Sequence, residues 1–423
     1  MTLRTLRNLR LLASLIPSVL PARSPFRFDL LAGALAAVTA TAALMAAPSA
    51  ALAADTLRVG FLTTLSGPGG VIGTDIRDGF NLAVKHAGGK LGGIPLDLQI
   101  TDDQLKPDVA KQVVDRYLQQ HKSHIITGIV FSNIILPVAP SIFDAKTFYI
   151  SPNTGPNDYA GAKCNPYFFA AAWQSEDIPG AMGKFLTDRG VKNAYLIAAN
   201  YPGGRENLSG FKRFYKGNIV DEVYTPMNQL DYSVDLANIQ AKKPDAVFMF
   251  LPGGMGVNFI KQYAAAGLSK TSQLFVPGYS ADEDTIKAVG DSLLGSVNTS
   301  FWGHDLDNPQ NKRFVADFEK DFRRLPTMFA AQGYDTAMLI DSAVKKVKGK
   351  VEDKEAFRKA LMAADFKAVR GAMKFNKNQF PIQDYYLRVV HRDSQGRITN
   401  RLMGKILTNH EDSFASQCKM PNM

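Results

Sequence analysis

Cysteine is nearly absent: the 423 residues carry two, Cys164 and Cys418, with no Cys-x-x-Cys spacing, which removes thiolate metal sites and dithiol redox chemistry. The six histidines are scattered, and the one close pair, His121 and His124, reads as a helix end, so no metal is expected. Runs of five or six like charges are missing; Lys and Arg alternate with Asp and Glu as on a solvated surface, which excludes a nucleic-acid partner. Low-complexity tracts, tandem repeats and Gly/Ser linkers are absent too, so any domains must be joined by ordered crossings. A dinucleotide fingerprint is only imitated. In Gly67-Pro68-Gly69-Gly70-Val71-Ile72-Gly73, Ile72 stands where the third glycine belongs, and neither a nicotinamide cofactor nor any other is expected.

What is present begins with an export signal over residues 1–54. Arg4, Arg7, Arg10, Arg23 and Arg27 precede an Ala/Leu-rich run from Leu30 to Ala46 and the small-residue end Ala51-Leu52-Ala53. Its removal leaves 44 basic against 38 acidic residues, a modest surplus. No later stretch is long and apolar enough to span a bilayer, so the mature chain is expected in the periplasm, not embedded in the membrane. In that oxidising compartment Cys164 and Cys418 are expected to form one disulfide, two free thiols being the alternative.

Roughly 370 mature residues exceed the size of a single growing core, so two domains are expected. From Asp55 the pattern alternates strand and amphipathic helix: strands at 57–62, 96–101, 123–130 and 148–150, with helices at 74–86 and 107–120. A second series follows Trp173, with strands at 194–198, 219–224, 246–251 and 273–276, the last read as closing the set. Helices at 309–322 and 330–347 look like additions to the first series, and Asp393-Ser394-Gln395-Gly396 turns a late hairpin. The βαβ rhythm predicts an α/β fold with parallel sheets covered on both faces.

Several segments carry a resemblance. Leu65-Ser66-Gly67-Pro68, Asp78-Gly79-Phe80-Asn81-Leu82-Ala83, Gly92-Gly93-Ile94-Pro95-Leu96, Ile150-Ser151-Pro152 and Gly333-Tyr334-Asp335-Thr336-Ala337, in this order, resemble the branched-chain amino-acid (Leu/Ile/Val) receptor family of periplasmic solute-binding proteins. Cys164-Asn165-Pro166-Tyr167-Phe168-Phe169 and Cys418-Lys419-Met420-Pro421 narrow the likeness to the subgroup associated with aromatic acids. The resemblance implies a type I periplasmic binding fold: two discontinuous Rossmann-like lobes, residues 55–173 with 301–378 and 174–300 with 379–423, joined by a three-strand hinge. It implies no catalysis. The expected partners are a small organic acid and the permease and ATPase of an ABC importer.

By the same resemblance, the loop Phe131-Ser132-Asn133 and the loop Asn153-Thr154 hold the ligand carboxylate, Ser132 through its hydroxyl and Asn153 through its backbone. The family often has threonine where this chain has Gly155, which leaves Thr154 a substitute. Tyr201 matches the tyrosine that closes over the ligand, and Arg205 either reaches an anion or pairs with a surface acid. Tyr279 stands where branched-chain receptors place the acid that holds an ammonium. With Trp302 and Tyr334 added as cleft aromatics, the residues favour an aromatic or hydrophobic carboxylate, benzoate- or cinnamate-like. The alternatives are a branched-chain or other hydrophobic amino acid, or a sensory receptor of the same fold.

Overall fold

A computed structural model describes residues 54–423; the expected export signal falls, but for its last residue, outside them. The chain begins with β1 (Leu57–Thr63), α1 (Gly70–His86), β2 (Lys90–Leu91), β3 (Ile94–Asp102), α2 (Pro107–Gln119) and β4 (Ile125–Thr127). It continues with α3 (Ser132–Asp144), β5 (Phe148–Ser151), α4 (Asn157–Ala160) and β6 (Phe168–Ala170). These strands form one sheet in the order β2-β3-β1-β4-β5-β6, parallel except for β2. Every residue of β4 and β5 is buried, as befits parallel strands covered on both faces.

The chain then passes to a second sheet through α5 (Asp177–Asp188), β7 (Asn193–Ala199), α6 (Pro202–Phe214), β8 (Asn218–Thr225) and α7 (Ser233–Lys242). Next come β9 (Ala246–Phe250), α8 (Gly254–Ala265), β10 (Gln273–Pro277), α9 (Glu283–Val289) and β11 (Val297–Ser300). Three helices return to the first sheet's side: α10 (Pro309–Phe322), α11 (Met328–Lys346) and α12 (Lys354–Ala363). The last strands are β12 (Lys374–Phe375), β13 (Pro381–Arg392) and β14 (Ile398–His410). The second sheet runs β12-β13-β11-β10-β9-β7-β8, with β14 paired to β13. The series read as ending at 273–276 thus gains a further parallel strand, β11, which hands the sheet over to the antiparallel β13.

Two glycines of the family-like segments have a packing reason. A Cβ on Gly79 of α1 would overlap the Ala330 carbonyl of α11, and one on Gly333 of α11 would overlap the Ile76 carbonyl of α1. The two helices therefore meet backbone to backbone, which only glycine permits. Beside them Arg324 bridges Asp75 at 2.5 Å and Asp78 at 3.0 Å.

Three connections join the sheets, and a side chain on the third reaches the other two. The buried Arg370 guanidinium donates to the Ala172 carbonyl (2.9 Å) and to Gln383 Oε1 (3.2 Å), and lies 4.4 Å from the Phe301 ring centre. Asp335, at 2.8 Å, neutralises it. The disulfide Cys164–Cys418 is formed, its Cα atoms 5.6 Å apart across a sequence separation of 254. It draws the C-terminal segment back to the first sheet, where Asn378 also bonds Asp412 (2.9 Å) and the Ala160 carbonyl (2.8 Å). Disulfides typically stabilise by about 2–4 kcal/mol.

Candidate functional site

The loops leaving the C-terminal ends of the parallel strands of both sheets meet around a small cavity. This is where doubly wound sheets bind small molecules, because helix N-termini point there. The two halves touch across it. A Cβ on Gly253, before α8, would overlap the Pro68 carbonyl, and Ser132 Oγ accepts from the Gly203 N–H of α6 at 2.7 Å.

Ser132 opens α3 and Gly203 lies in the first turn of α6, so two positive helix ends converge on one wall. Because Ser132 Oγ accepts from Gly203, its own proton remains to be donated. Asn153 is fixed by its Nδ2, which donates to the Val130 carbonyl at 2.6 Å. Gly155 answers the question posed by the missing threonine. A Cβ there would overlap the Trp173 carbonyl, and the Gly155 carbonyl accepts from both the Ser175 N–H and its hydroxyl, each at 2.9 Å. Glycine at 155 lets the first connection pass close to the binding loop.

The opposite wall is aromatic. Tyr201 meets Phe131 edge to face at 6.0 Å and lies 6.2 Å from Phe250; Phe250 meets Tyr279 at 5.0 Å, and Tyr279 stacks on Trp173 at 5.5 Å. The Tyr279 hydroxyl donates to Asn207 Oδ1, and Asn207 Nδ2 donates to the Gly203 carbonyl at 2.9 Å. Burial pushes the phenols of Tyr201 and Tyr279 well up, so both keep their protons. None of the lining residues is acidic or basic. Just behind the wall, Glu206 accepts from the Asn157 N–H at 2.9 Å, and burial pushes its carboxyl up to about 7.

Of the sequence-derived candidates, Phe131, Ser132, Asn153, Thr154, Tyr201 and Tyr279 line this cavity. The other four lie elsewhere. Asn133 follows Ser132 in α3 but is not part of the lining. Arg205 bonds Asn200 Oδ1 (2.7 Å) and stacks over Tyr224 (4.7 Å), reaching neither an anion site nor a surface acid. Trp302 is core, its indole N–H donating to Asn311 Oδ1 at 2.8 Å, and Tyr334 packs on Phe314 and bonds His86 Nδ1 at 2.8 Å. Two acids that could have held an ammonium are likewise committed: Asp282 caps α9 through the Thr285 N–H, and Asp335 holds Arg370. Asn207, Phe250 and Phe329 line the cavity without having been singled out. Asn207 was visible in principle as the polar member of a buried helix face that includes Gly203, Leu208 and Phe211. Among the described residues no three His, Cys, Asp or Glu side chains converge to hold a metal, and no helix is long and apolar enough to cross a membrane.

Comparison with known proteins agrees with this architecture. An ABC-transporter solute-binding protein from R. palustris, solved with benzoate, is 31% identical; the match covers 86% of this chain and 99% of that one, with a TM-score of 0.81. A second, from Rhodopseudomonas palustris BisB5 with 3,4-dihydroxybenzoic acid, is 27% identical, over 85% of this chain and 99% of that one, with a TM-score of 0.79. Leu/Ile/Val-binding protein homolog 6 of Brucella melitensis is 25% identical over 374 residues, 86% of this chain and 95% of the relative. The family profile described as periplasmic binding protein matches residues 56–396, and the chain belongs to that family.

Proposed function

We propose that this chain is the ligand-capturing component of an ABC importer and that it holds a small aromatic or hydrophobic carboxylate between two closing lobes. The carrying observation is the composition of the cavity: aromatic rings, two converging helix N-termini and no charged side chain in the lining. A carboxylate is stabilised at such helix ends, whereas a buried ammonium without an opposite charge is costly. The solved relatives bound to benzoate and 3,4-dihydroxybenzoic acid support the same ligand class. In this reading Ser132 and the backbone near Asn153 receive the acid group, with Thr154 beside them. Phe131, Tyr201 and Tyr279 cover the apolar body.

The lobes are residues 55–173 with 301–378 and 174–300 with 379–423. The division follows membership of the two sheets, except that β12 pairs with β13 of the second sheet and the tail beyond His410 leans on the first. Export by residues 1–54 and delivery to a permease and its ATPase complete the reading. Calorimetry with benzoate, cinnamate, leucine and valine tests it. Binding of the aromatic acids is expected; tight binding of leucine or valine with no response to either aromatic acid would overturn it.

A further inference from the structure

Behind the cavity wall, one carboxyl spans the two halves without a cation. Glu206 stands on α6, between strands of the second sheet, and accepts at 2.9 Å from the Asn157 N–H of α4, which follows β5 of the first sheet. Its Oε2 is shut off from solvent and has no hydrogen-bond partner among the described residues, although the residue as a whole is only half-buried. Cations on the surrounding elements are taken: Arg213 by Glu176 at 2.6 Å, Lys163 by Asp158 at 2.9 Å, and Arg205 by Asn200 and the Tyr224 ring. What faces the carboxyl is acidic or neutral. Glu176 comes from the first connection, Asp158 from α4, and Tyr201 and Tyr279 add protonated phenols.

An ionised carboxylate with one oxygen buried and unpaired, and like charges beside it, is costly; the cost disappears when that oxygen takes a proton. The protonated form also has somewhere to donate. Ser175, whose hydroxyl adjoins the carboxyl, spends its own proton on the Gly155 carbonyl at 2.9 Å, which leaves its oxygen to accept. Burial accordingly pushes the carboxyl up to about 7, against the pull of the Asn157 N–H. Separating the two halves would break the Asn157 contact and wet Oε2, returning the group toward its ordinary 4.5.

We propose that closing the lobes around a ligand loads one proton from solvent onto Glu206, so that ligand and proton are captured together. The proton comes from bulk buffer and sits on the carboxyl oxygen; no other bond changes. This rests on the reading of two closing lobes above and adds to it. Because the closed form holds the proton more tightly than the open one, affinity is highest on the acid side and falls as pH rises through about 7. In the ligand-free protein the same exchange is felt only as far as the closed form is populated.

Calorimetry of benzoate binding in buffers of different ionisation enthalpy counts the protons taken up, and benzoate itself stays ionised across the range. At pH 6 uptake is expected at about 0.9 proton per benzoate and at pH 8.5 below about 0.1, with affinity weakening roughly 5- to 20-fold between pH 5.5 and 7.5. Glu206→Gln keeps an oxygen for the Asn157 N–H and puts an amide donor where the acid has its hydroxyl, so uptake should vanish and affinity should become flat with pH. Glu176→Gln removes a like charge and frees Arg213, and should move the pH at which uptake disappears downward.

Benzoate bound with uptake below about 0.2 proton at pH 6 overturns the inference and leaves the parent reading intact. Uptake undiminished in folded Glu206→Gln overturns the assignment to this residue. Should that variant not fold, an unmoved profile in Glu176→Gln overturns it instead. If leucine binds and benzoate does not, the aromatic reading fails, and the same count on leucine decides the proton separately. Binding of neither overturns both.

Discussion

Along the wall built by the first sheet's loops, hydrogen-bonding capacity is left over: Ser132 keeps its proton and Asn153 its carbonyl oxygen. Along the wall from the second sheet, Tyr279 and Asn207 satisfy one another and the Gly203 carbonyl, and the rings of Tyr201, Phe250 and Tyr279 pack edge to face or tilted. The first side keeps two unspent polar groups, whereas the second carries the paired Tyr279 and Asn207 among its rings. On the proposed reading, a carboxylate ligand would turn its polar end to the first sheet and its apolar body to the second.

Four measurements can break or sharpen that contrast. The largest effect is expected from Trp173→Ala, which removes the ring stacked on Tyr279 and tilted against Phe301 at 5.7 Å. Denaturant unfolding should show a loss of about 3–5 kcal/mol, as for other large-to-small changes of buried aromatics. A loss below about 1 kcal/mol would mean that the aromatic wall carries little structural weight.

Next comes pH. Glu206 is raised to about 7 from its ordinary 4.5 by burial, with Glu176 and Asp158 adding repulsion and the Asn157 N–H opposing it. The native state therefore keeps a proton that the unfolded chain releases. The stability contributed by this proton is complete below about pH 4.5 and is lost as pH rises through about 7. The span is on the order of 3 kcal/mol. Melting temperature should fall between pH 5 and 8 more steeply in the wild type than in Glu206→Gln; parallel curves would place the proton elsewhere.

Ser132→Ala should weaken binding of an aromatic acid by roughly 10- to 150-fold, the cost of a charge-assisted hydrogen bond of about 1.5–3 kcal/mol. Unchanged affinity would move the acid group away from α3. Tyr279→Phe should matter least, since its hydroxyl is spent on Asn207 and not on the cavity. A neutral hydrogen bond of about 0.5–1.5 kcal/mol corresponds to about a 2- to 13-fold change. A larger loss would show that Tyr279 donates to the ligand after all, and the satisfied wall would not be satisfied.

The fold was legible where periodicity and glycine punctuation agree. The strands at 57–62 and 194–198 and the helices at 107–120 and 309–322 appear within a few residues of their expected limits. Helix α3 was not, because its interior carries Pro137 and Pro140, each of which lacks the N–H that a helix interior uses. The strand expected at 123–130 shrinks to Ile125–Thr127, since Gly128 turns the chain at φ 101° toward the binding loop. At the site, loop residues were legible because strand ends announce them. Trp302 and Tyr334 misled because an aromatic near a crossing looks the same in sequence whether it faces the cleft or Asn311 and Phe314. Phe250 was read only as part of an apolar strand, yet it closes the strand at the cavity.

Arg370 carries a mechanical consequence. Standing on the third connection, its planar guanidinium spans a carbonyl in the first, a ring in the second and an amide of β13. Three separate connections would allow bending, twisting and sliding independently. Tied through one rigid group, they are expected to act as a joint with a single degree of freedom, so that lobe opening, followed by Trp173 fluorescence after ligand mixing, relaxes in one phase and several resolved phases would refute the coupling. If the proposed function holds, a ligand would work against one elastic mode, and a transporter would need to sense only one coordinate.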